Sequence, residues 1–416
     1  MPEVAIVGSF AALLQLFAPC FTEPTFRRFV VLASGWVLWV GKRTVTGVIR
    51  AAGVAGKRHH SGYHRFFSAA RWTADAVGLC LLRLFLTARA VTEVVEMAVD
   101  DTLARHTGKH IASGAMHRDP LLSTGKKPFF HFGHNWVVLA VVVRVPMWNK
   151  AFSLPVLLRL YRSEKLNKKL GLVHRKKTEL AAELIALVTQ QFPCRRFRLV
   201  GDNGYTNRSV LRPLPNSFHF IGRAGMDAAL YARPHKAKGP LRGRPPVKGR
   251  RLPSPAQRAK TGRWHSIDAL IYGKSVTVKV QVFDALWYQA ARERLLRFVL
   301  IRGWPGHDKD DVLVSTDLSL TAAQIIEAYC LRWSLEETFG WAKGRLGFED
   351  PQNRTEPAVQ RTAPMALWTY SLVLWWYLQW AQGRTQLRFR IDPWYPSKAA
   401  PSFADMLATL RLQPWT

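Results

Sequence analysis

Acidic residues are scarce in this 416-residue chain: 28 Asp and Glu stand against 60 Lys and Arg, for a formal net charge of +32. Such an imbalance implies a polyanionic partner and long-range steering toward it. The basic residues run through the whole sequence instead of forming one tail, which favours nucleic acid over an anionic membrane surface or a ribosomal-type scaffold. Cysteine is scarcer still. Cys20, Cys80, Cys194 and Cys330 are scattered without any Cys-x2-Cys spacing, which argues against zinc and against the disulfide framework of a secreted domain; a reducing cytoplasm is expected. No internal repeat is evident. Long apolar runs number two. The first, residues 4–21, has no basic region before it and is broken by Pro19 and Pro24, so a signal peptide is not expected. The second, Ala363 to Ala381, is uncharged and near spanning length, but its Trp and Tyr are spread along it and Gln379 lies within it. It reads as a helix buried on the core, with no membrane involved.

What is present is a globular composition, 48% hydrophobic, in a chain long enough for two or three structural units. The few acids fall into a pattern. Tyr329, Arg332, Glu336 and Lys343 follow the spacing Tyr-x2-Arg-x3-Glu-x6-Lys, and the stretch from Thr321 to Phe339 holds no Gly or Pro, so it is predicted to be one helix. At about 100° per residue the four share an arc of roughly 60°. A carboxylate flanked by a phenol, a guanidinium and an ammonium suits a hard cation held against a phosphodiester. Glu337 lies about 100° away from that face and is the poorer candidate.

Two further acids fit the same chemistry. Val94, Val95, Met97, Ala98 and Val99 run into Asp100 and Asp101, as in a buried strand that ends by presenting a carboxylate. Strand alternation lets only one of the two face a site, without saying which. A short strand from Phe197 to Val200 reaches Asp202, and Gly204 then permits a tight turn.

The order strand-Asp, strand-Asp, helix-Glu resembles the DDE transposases of bacterial insertion sequences, in particular the group with a Tyr-Arg-Glu-Lys signature. The matching residues are Asp100-Asp101-Thr102, Asp202-Asn203-Gly204-Tyr205, and Tyr329 to Lys343. The resemblance spans roughly Val91 to Tyr377 and implies an α/β fold, a ribonuclease-H-like core with an N-terminal helical domain and an inserted β-rich subdomain. It favours Asp100 over Asp101 as the first ligand. It further implies that Asp100, Asp202 and Glu336 hold two magnesium ions, with manganese as a substitute, while Tyr329, Arg332 and Lys343 grip the phosphates. The activity implied is metal-dependent cleavage at transposon ends and 3′-OH strand transfer into target DNA, by a homodimer on double-stranded DNA carrying terminal inverted repeats. Hydrolysis alone, or DNA binding without catalysis, are the alternatives.

Four segments are expected. Residues 1–90 read as helical and DNA-binding; a helix-turn-helix around a basic turn, Gly53 ending its first helix and Ser61 capping its second, is one reading, and a supporting bundle is the other. Residues 91–222 read as the first part of the core, with a helical run from Ser163 to Phe192 and FHFIGRA as a fifth strand. Residues 223–318 read as an insertion. It opens with a flexible basic arm that has no acid between Asp227 and Asp268, in which Arg242, Arg244, Lys248, Arg250 and Arg251 would track a phosphate backbone. Strands follow the arm. Residues 319–416 complete the core. The histidines after the first acids, His106, His110, His117, His131 and His134, read as surface or hydrogen-bonding residues, because Gly108 weakens any helix that would pair His106 with His110 on a metal.

Overall fold

The computed structural model describes residues 9–88, 90–108, 110–119, 122–124, 127–234, 245–382, 384, 387 and 389–413. The N-terminal part is helical: α1 (Phe10–Gln15), a 3₁₀ turn (Ala18–Cys20), α2 (Glu23–Leu38), α3 (Val45–Ala51), α4 (Ser61–Ser68) and α5 (Ala74–Thr87). Gly53, with φ +69°, follows α3, where its missing Cβ makes the left-handed turn inexpensive. Ser61 is not a cap. It is the first residue of α4 after the cap residue His60, and its hydroxyl meets His59 Nδ1 at 2.8 Å.

Strands then dominate: β1 (Val94–Arg105), β2 (Ala115–Arg118), β3 (Phe130–Val145) and β4 (Lys150–Tyr161). The helical run predicted from Ser163 onward is two helices, α6 (Glu164–Lys169) and α7 (Lys177–Gln191), parted where Gly171 adopts φ +67°. After them come β5 (Arg196–Gly201), α8 (Arg208–Leu211) and β6 (Phe218–Arg223). Here β1 pairs antiparallel with β3, β3 antiparallel with β4, and β1 parallel with β5, itself parallel with β6. The resulting order, β4-β3-β1-β5-β6, lays the first core strand in the middle of the sheet. Most of β3 is buried, as its run of Val, Leu and Ala requires.

The sheet does not stop at β6. The segment that follows supplies β7 (Leu230–Tyr231), β8 (Arg251–Leu252), α9 (Pro255–Thr261), β9 (His265–Ile271), β10 (Lys274–Leu286), α10 (Tyr288–Ala291), β11 (Leu295–Arg302) and β12 (Asp311–Ser315). Since β12 pairs with β6 and β11 with β12, these strands extend the same sheet, which has twelve strands among the described residues. Part of the expected flexible arm is therefore folded: Arg251 pairs across from Tyr231, and α9 is closed by a Ser254–Gln257 capping box. Residues 235–244 lie outside the described residues.

The chain closes with α11 (Ala322–Cys330), α12 (Trp333–Leu346), α13 (Glu356–Ala381) and α14 (Phe403–Arg411). The apolar run from Ala363 forms the buried length of α13, and among the described residues no helix is long and apolar enough to cross a membrane. α13 lies on β4 where that strand is irregular. Pro155 brings no N–H to the ladder, and the β3–β4 register shifts between Leu139 and Ala140. The carbonyls of Pro155 and Val156 instead accept from Ser371 Oγ (2.9 Å) and Trp368 Nε1 (3.0 Å). From the helical side, Gly78 of α5 approaches so closely that a Cβ would sit 2.3 Å from Val156 O. The N-terminal helices are tied to the same body. Trp36 Nε1 donates to Leu346 O at 2.9 Å, and Arg361 donates to the carbonyls of Phe67 and Trp72.

Candidate active site

A cleft of about 970 Å³ opens between β1, the end of β5, and α12. Asp100, Asp101, Asp202, Arg332, Glu336, Glu337 and Lys343 all line it, so the acids that the sequence scatters over the chain share one cleft. Asp100 does not end its strand. β1 continues to Arg105 because the ladder to β3 runs on through Asp100 opposite Val138 and Asp101 opposite Val137, and backbone pairing is indifferent to the charge of the side chain. Asp202 does follow a strand end, one residue past β5. Its Oδ1 accepts from Tyr205 N at 3.1 Å and its carbonyl from Thr206 Oγ1 at 2.9 Å, which fixes the Asp-Asn-Gly-Tyr turn.

The tandem acids have different partners. Asp100 Oδ2 meets Arg332 at 2.6 Å, and the same guanidinium nitrogen meets Glu336 Oε1 at 2.7 Å. Asp101 is engaged elsewhere, by Lys177 Nζ at 2.5 Å and by the Tyr205 hydroxyl at 3.1 Å. Lys177 and Tyr205 thus bind the carboxylate that Asp100 leaves unused. Sequence reasoning missed Lys177, as it missed Arg105, Arg118 and Asp119 on the cleft wall. Arg105 Nε donates to the buried Asp119 at 2.7 Å. No local spacing marks these residues.

The expected single helix from Thr321 to Phe339 is bent. α11 ends at Cys330 and α12 begins at Trp333, with i to i−3 bonds from Leu331, Arg332, Ser334 and Leu335 between them. Ser334 sits at this break. Its hydroxyl contacts Leu331 O at 2.7 Å and Ser153 Oγ at 2.7 Å, taking a carbonyl that a continuous ladder would use. Arg332, Glu336 and Lys343 stay on the cleft side of the bend. Tyr329 does not line the cleft; it packs edge-on against Trp304, 6.1 Å between centroids, with the Arg332 guanidinium 6.0 Å from its ring.

The electrostatics of the cleft are those of an acid cluster short of positive charge. Burial pushes the Asp100 carboxyl up to about 7; Arg332 opposes this, while Asp202 and Asp101 add to it. Burial would push the Arg332 guanidinium down, but Asp100 and Glu336 hold it up. Its Nε is buried without a hydrogen-bond partner among the described residues. Lys343 makes no ion pair among the described residues, and burial lowers its ammonium. All-oxygen donors are the kind a hard divalent cation takes, so the chemistry of these side chains suits one although their spacing does not yet enclose it. Among the described residues no three acids or imidazoles converge as a metal site, and Arg332 stands between Asp100 and Glu336.

The other predicted residues lie apart from the cleft. Lys248 Nζ sits over the Tyr231 ring at 4.2 Å and the Tyr288 ring at 5.4 Å, and Arg250 accepts Ala232 N–H on its carbonyl. Arg242 and Arg244 fall outside the described residues. His106 and His134 contact each other at 3.0 Å and reach the carbonyls of Glu349 and Ala112. Burial pushes the imidazoles of His106 and His117 down to about 4.

With this geometry in place, the comparison with known families is decisive. Residues 16–293 match the family described as DDE superfamily endonuclease. The chain belongs to that family. The matched part of this DDE-family chain carries Asp100 and Asp202, and Glu336 lies beyond it. No curated protein matches the chain. Among solved structures it is similar to a piggyBac transposase, seen by cryo-EM in a synaptic complex with hairpin DNA. The identity is 11%, the TM-score 0.41, and the alignment covers 98% of this chain and 76% of that one.

Proposed function

We propose that the chain is a transposase of the Tyr-Arg-Glu-Lys type, built on a ribonuclease-H-like core, that cuts DNA at transposon ends and joins the freed 3′-OH to target DNA. The observation that carries the reading is that Asp100, Asp202 and Glu336 line one cleft together with Arg105, Arg118, Lys177, Arg332 and Lys343. In this reading Asp100, Asp202 and Glu336 hold two magnesium ions, and Asp101 is a positioning residue tied to Lys177 and Tyr205. When bound, such ions lower the pKa of an attacking water and stabilise a leaving 3′ oxygen.

The chain's own residues do the rest. Arg332 has a free Nε directed into a buried setting, and Lys343 is an unpaired cation among the described residues; both are suited to hold a non-bridging phosphate oxygen next to the scissile bond. Tyr329, packed behind Arg332, orients the guanidinium instead of touching phosphate. The basic residues around Lys248 to Arg251, with Arg242 and Arg244, track the duplex beyond the cleft, and the helices α3 and α4 present the terminal repeat to it. Two ends joined to one target require two active sites, hence a homodimer on DNA.

The test uses duplex DNA carrying the sequence that flanks the gene, with and without a pre-cut 3′-OH end, plus a plasmid target. Magnesium-dependent nicking followed by joining of the pre-cut end is the expected result. Nicking without joining makes the chain a hydrolytic nuclease, and binding without nicking makes it a non-catalytic relative; either result overturns the proposal.

A further inference from the structure

A second constellation lies away from the cleft. Cys20 and Cys80 are sixty positions apart in sequence, yet the packing of the 3₁₀ turn on α5 brings them together. Cys20 Sγ donates to Ala76 O at 3.4 Å, one helical turn before Cys80; Cys80 Sγ donates to Leu16 O at 3.3 Å, one turn before Cys20. Each thiol thus lies against the backbone next to the other. Both are half-exposed free cysteines, and both line an open groove of about 580 Å³ with Leu16, Pro19, Arg83 and Gln191. A small polar oxidant can reach them there. Neither is used by the proposed chemistry of the cleft.

We propose that Cys20 and Cys80 form a dithiol site that peroxide oxidises to a reversible disulfide. Their environments differ in the sense such a pair requires. The neighbouring Cys20 thiol lowers the Cys80 thiol, burial opposes this, and Arg83 adds to the lowering. The same contact and burial raise the Cys20 thiol. The thiolate is the nucleophile, so Cys80 attacks first. Its sulfur takes one oxygen of hydrogen peroxide, the O–O bond breaks, and hydroxide leaves. The Cys80 sulfenic acid then reacts with Cys20: an S–S bond forms, the S–O bond breaks, and the sulfenic oxygen departs as water with the Cys20 proton. Overall two thiols are oxidised and one peroxide is reduced to two waters. In a reducing compartment the bond is transient, as for other redox-sensing cytosolic disulfides. The product would tie the turn ahead of α2 to α5.

The experiment treats the folded full-length chain with hydrogen peroxide, quenches with acid, and maps peptides without reduction. The expected product is a Cys20–Cys80 linked peptide that forms roughly tenfold faster than any oxidation of the exposed Cys194, disappears with dithiothreitol, and is absent after unfolding in urea before treatment. Cys20→Ser should leave a Cys80 sulfenic acid that dimedone traps. Absence of the linked peptide from the folded chain, equal linkage in urea, or prior oxidation of Cys194 overturns the site. DNA cleavage is not the readout, so failure here leaves the proposed function untouched, and the converse also holds.

Discussion

The two walls of the cleft are built differently. On the sheet side, Asp100 and Asp101 are held in the ladder to β3, just past the point where β1 stops pairing with β5 at Val99, and Asp202 is fixed by a turn whose bonds close on its own oxygens. On the helix side, Glu336 is held, among the described residues, by one ion pair to Arg332 across one helical turn, and its side chain is 37% exposed. The sheet wall sets positions by backbone, whereas the helix wall sets them by charge. A site assembled in this way keeps two acids in place whatever binds and leaves the third adjustable.

The sharpest way to break that contrast is to remove the sheet acids. Asp100→Ala and Asp202→Ala should each lower magnesium-dependent nicking on the order of 10³-fold or more, while gel-shift binding of the flank-bearing duplex in calcium stays intact. Asp101→Ala should cost less, through the loosened Lys177 and Tyr205. Full nicking by Asp202→Ala would sink the acid-cluster reading, and nicking by Asp100→Ala but not Asp101→Ala would move the first ligand by one residue.

On the helix wall, Glu336→Gln should abolish nicking and Glu337→Gln should change it within about twofold. The opposite result would put the α12 register wrong and take Arg332 and Lys343 with it.

A smaller effect tests burial itself. The Asp100 carboxyl titrates higher in the folded chain than in the unfolded one, so between the ordinary aspartate value and about 7 the folded state binds more protons. Stability therefore falls as pH rises through that window, by up to about 1.4 kcal/mol per pH unit from this group. Thermal melts from pH 4.5 to 7.5 without divalent ions should show a flatter dependence in Asp100→Asn. Equal slopes would mean that Arg332 already keeps Asp100 ionised.

The smallest effect lies outside both walls. Arg242→Gln and Arg244→Gln should each reduce the slope of log K against log salt by about 0.9 on duplex DNA. An unchanged slope would make that segment a passive linker.

Sequence pattern carried much of the sheet wall, because buried strands are written as continuous apolar runs such as Val137 to Val143, and the Asp202 turn is written in Gly204. It erred where tertiary context overrode local signals. A polar residue at Asp100 looked like a strand end although β3 keeps pairing past it, and the bend at Leu331 sits where the hydroxyls of Ser334 and Ser153, far apart in sequence, meet. Arg332 and Glu336 line the cleft all the same because both lie on the α12 side of the bend, whereas Tyr329, on α11, does not. Lys177, Arg105 and Asp119 were illegible for the same reason: nothing near them in the sequence records which strand they will face.

The mooring of the N-terminal helices has a mechanical consequence. Trp36 is fastened to the end of α12, Arg361 of α13 to the last turn of α4 and the loop after it, and Gly78 of α5 packs directly on β4. Among the described residues these contacts tie the helical part to the elements that carry the cleft. A duplex held at α3 and α4 and cut at Asp100 would have to supply the curvature itself, so easily kinked pyrimidine–purine steps between the two footprints would be read as part of the address.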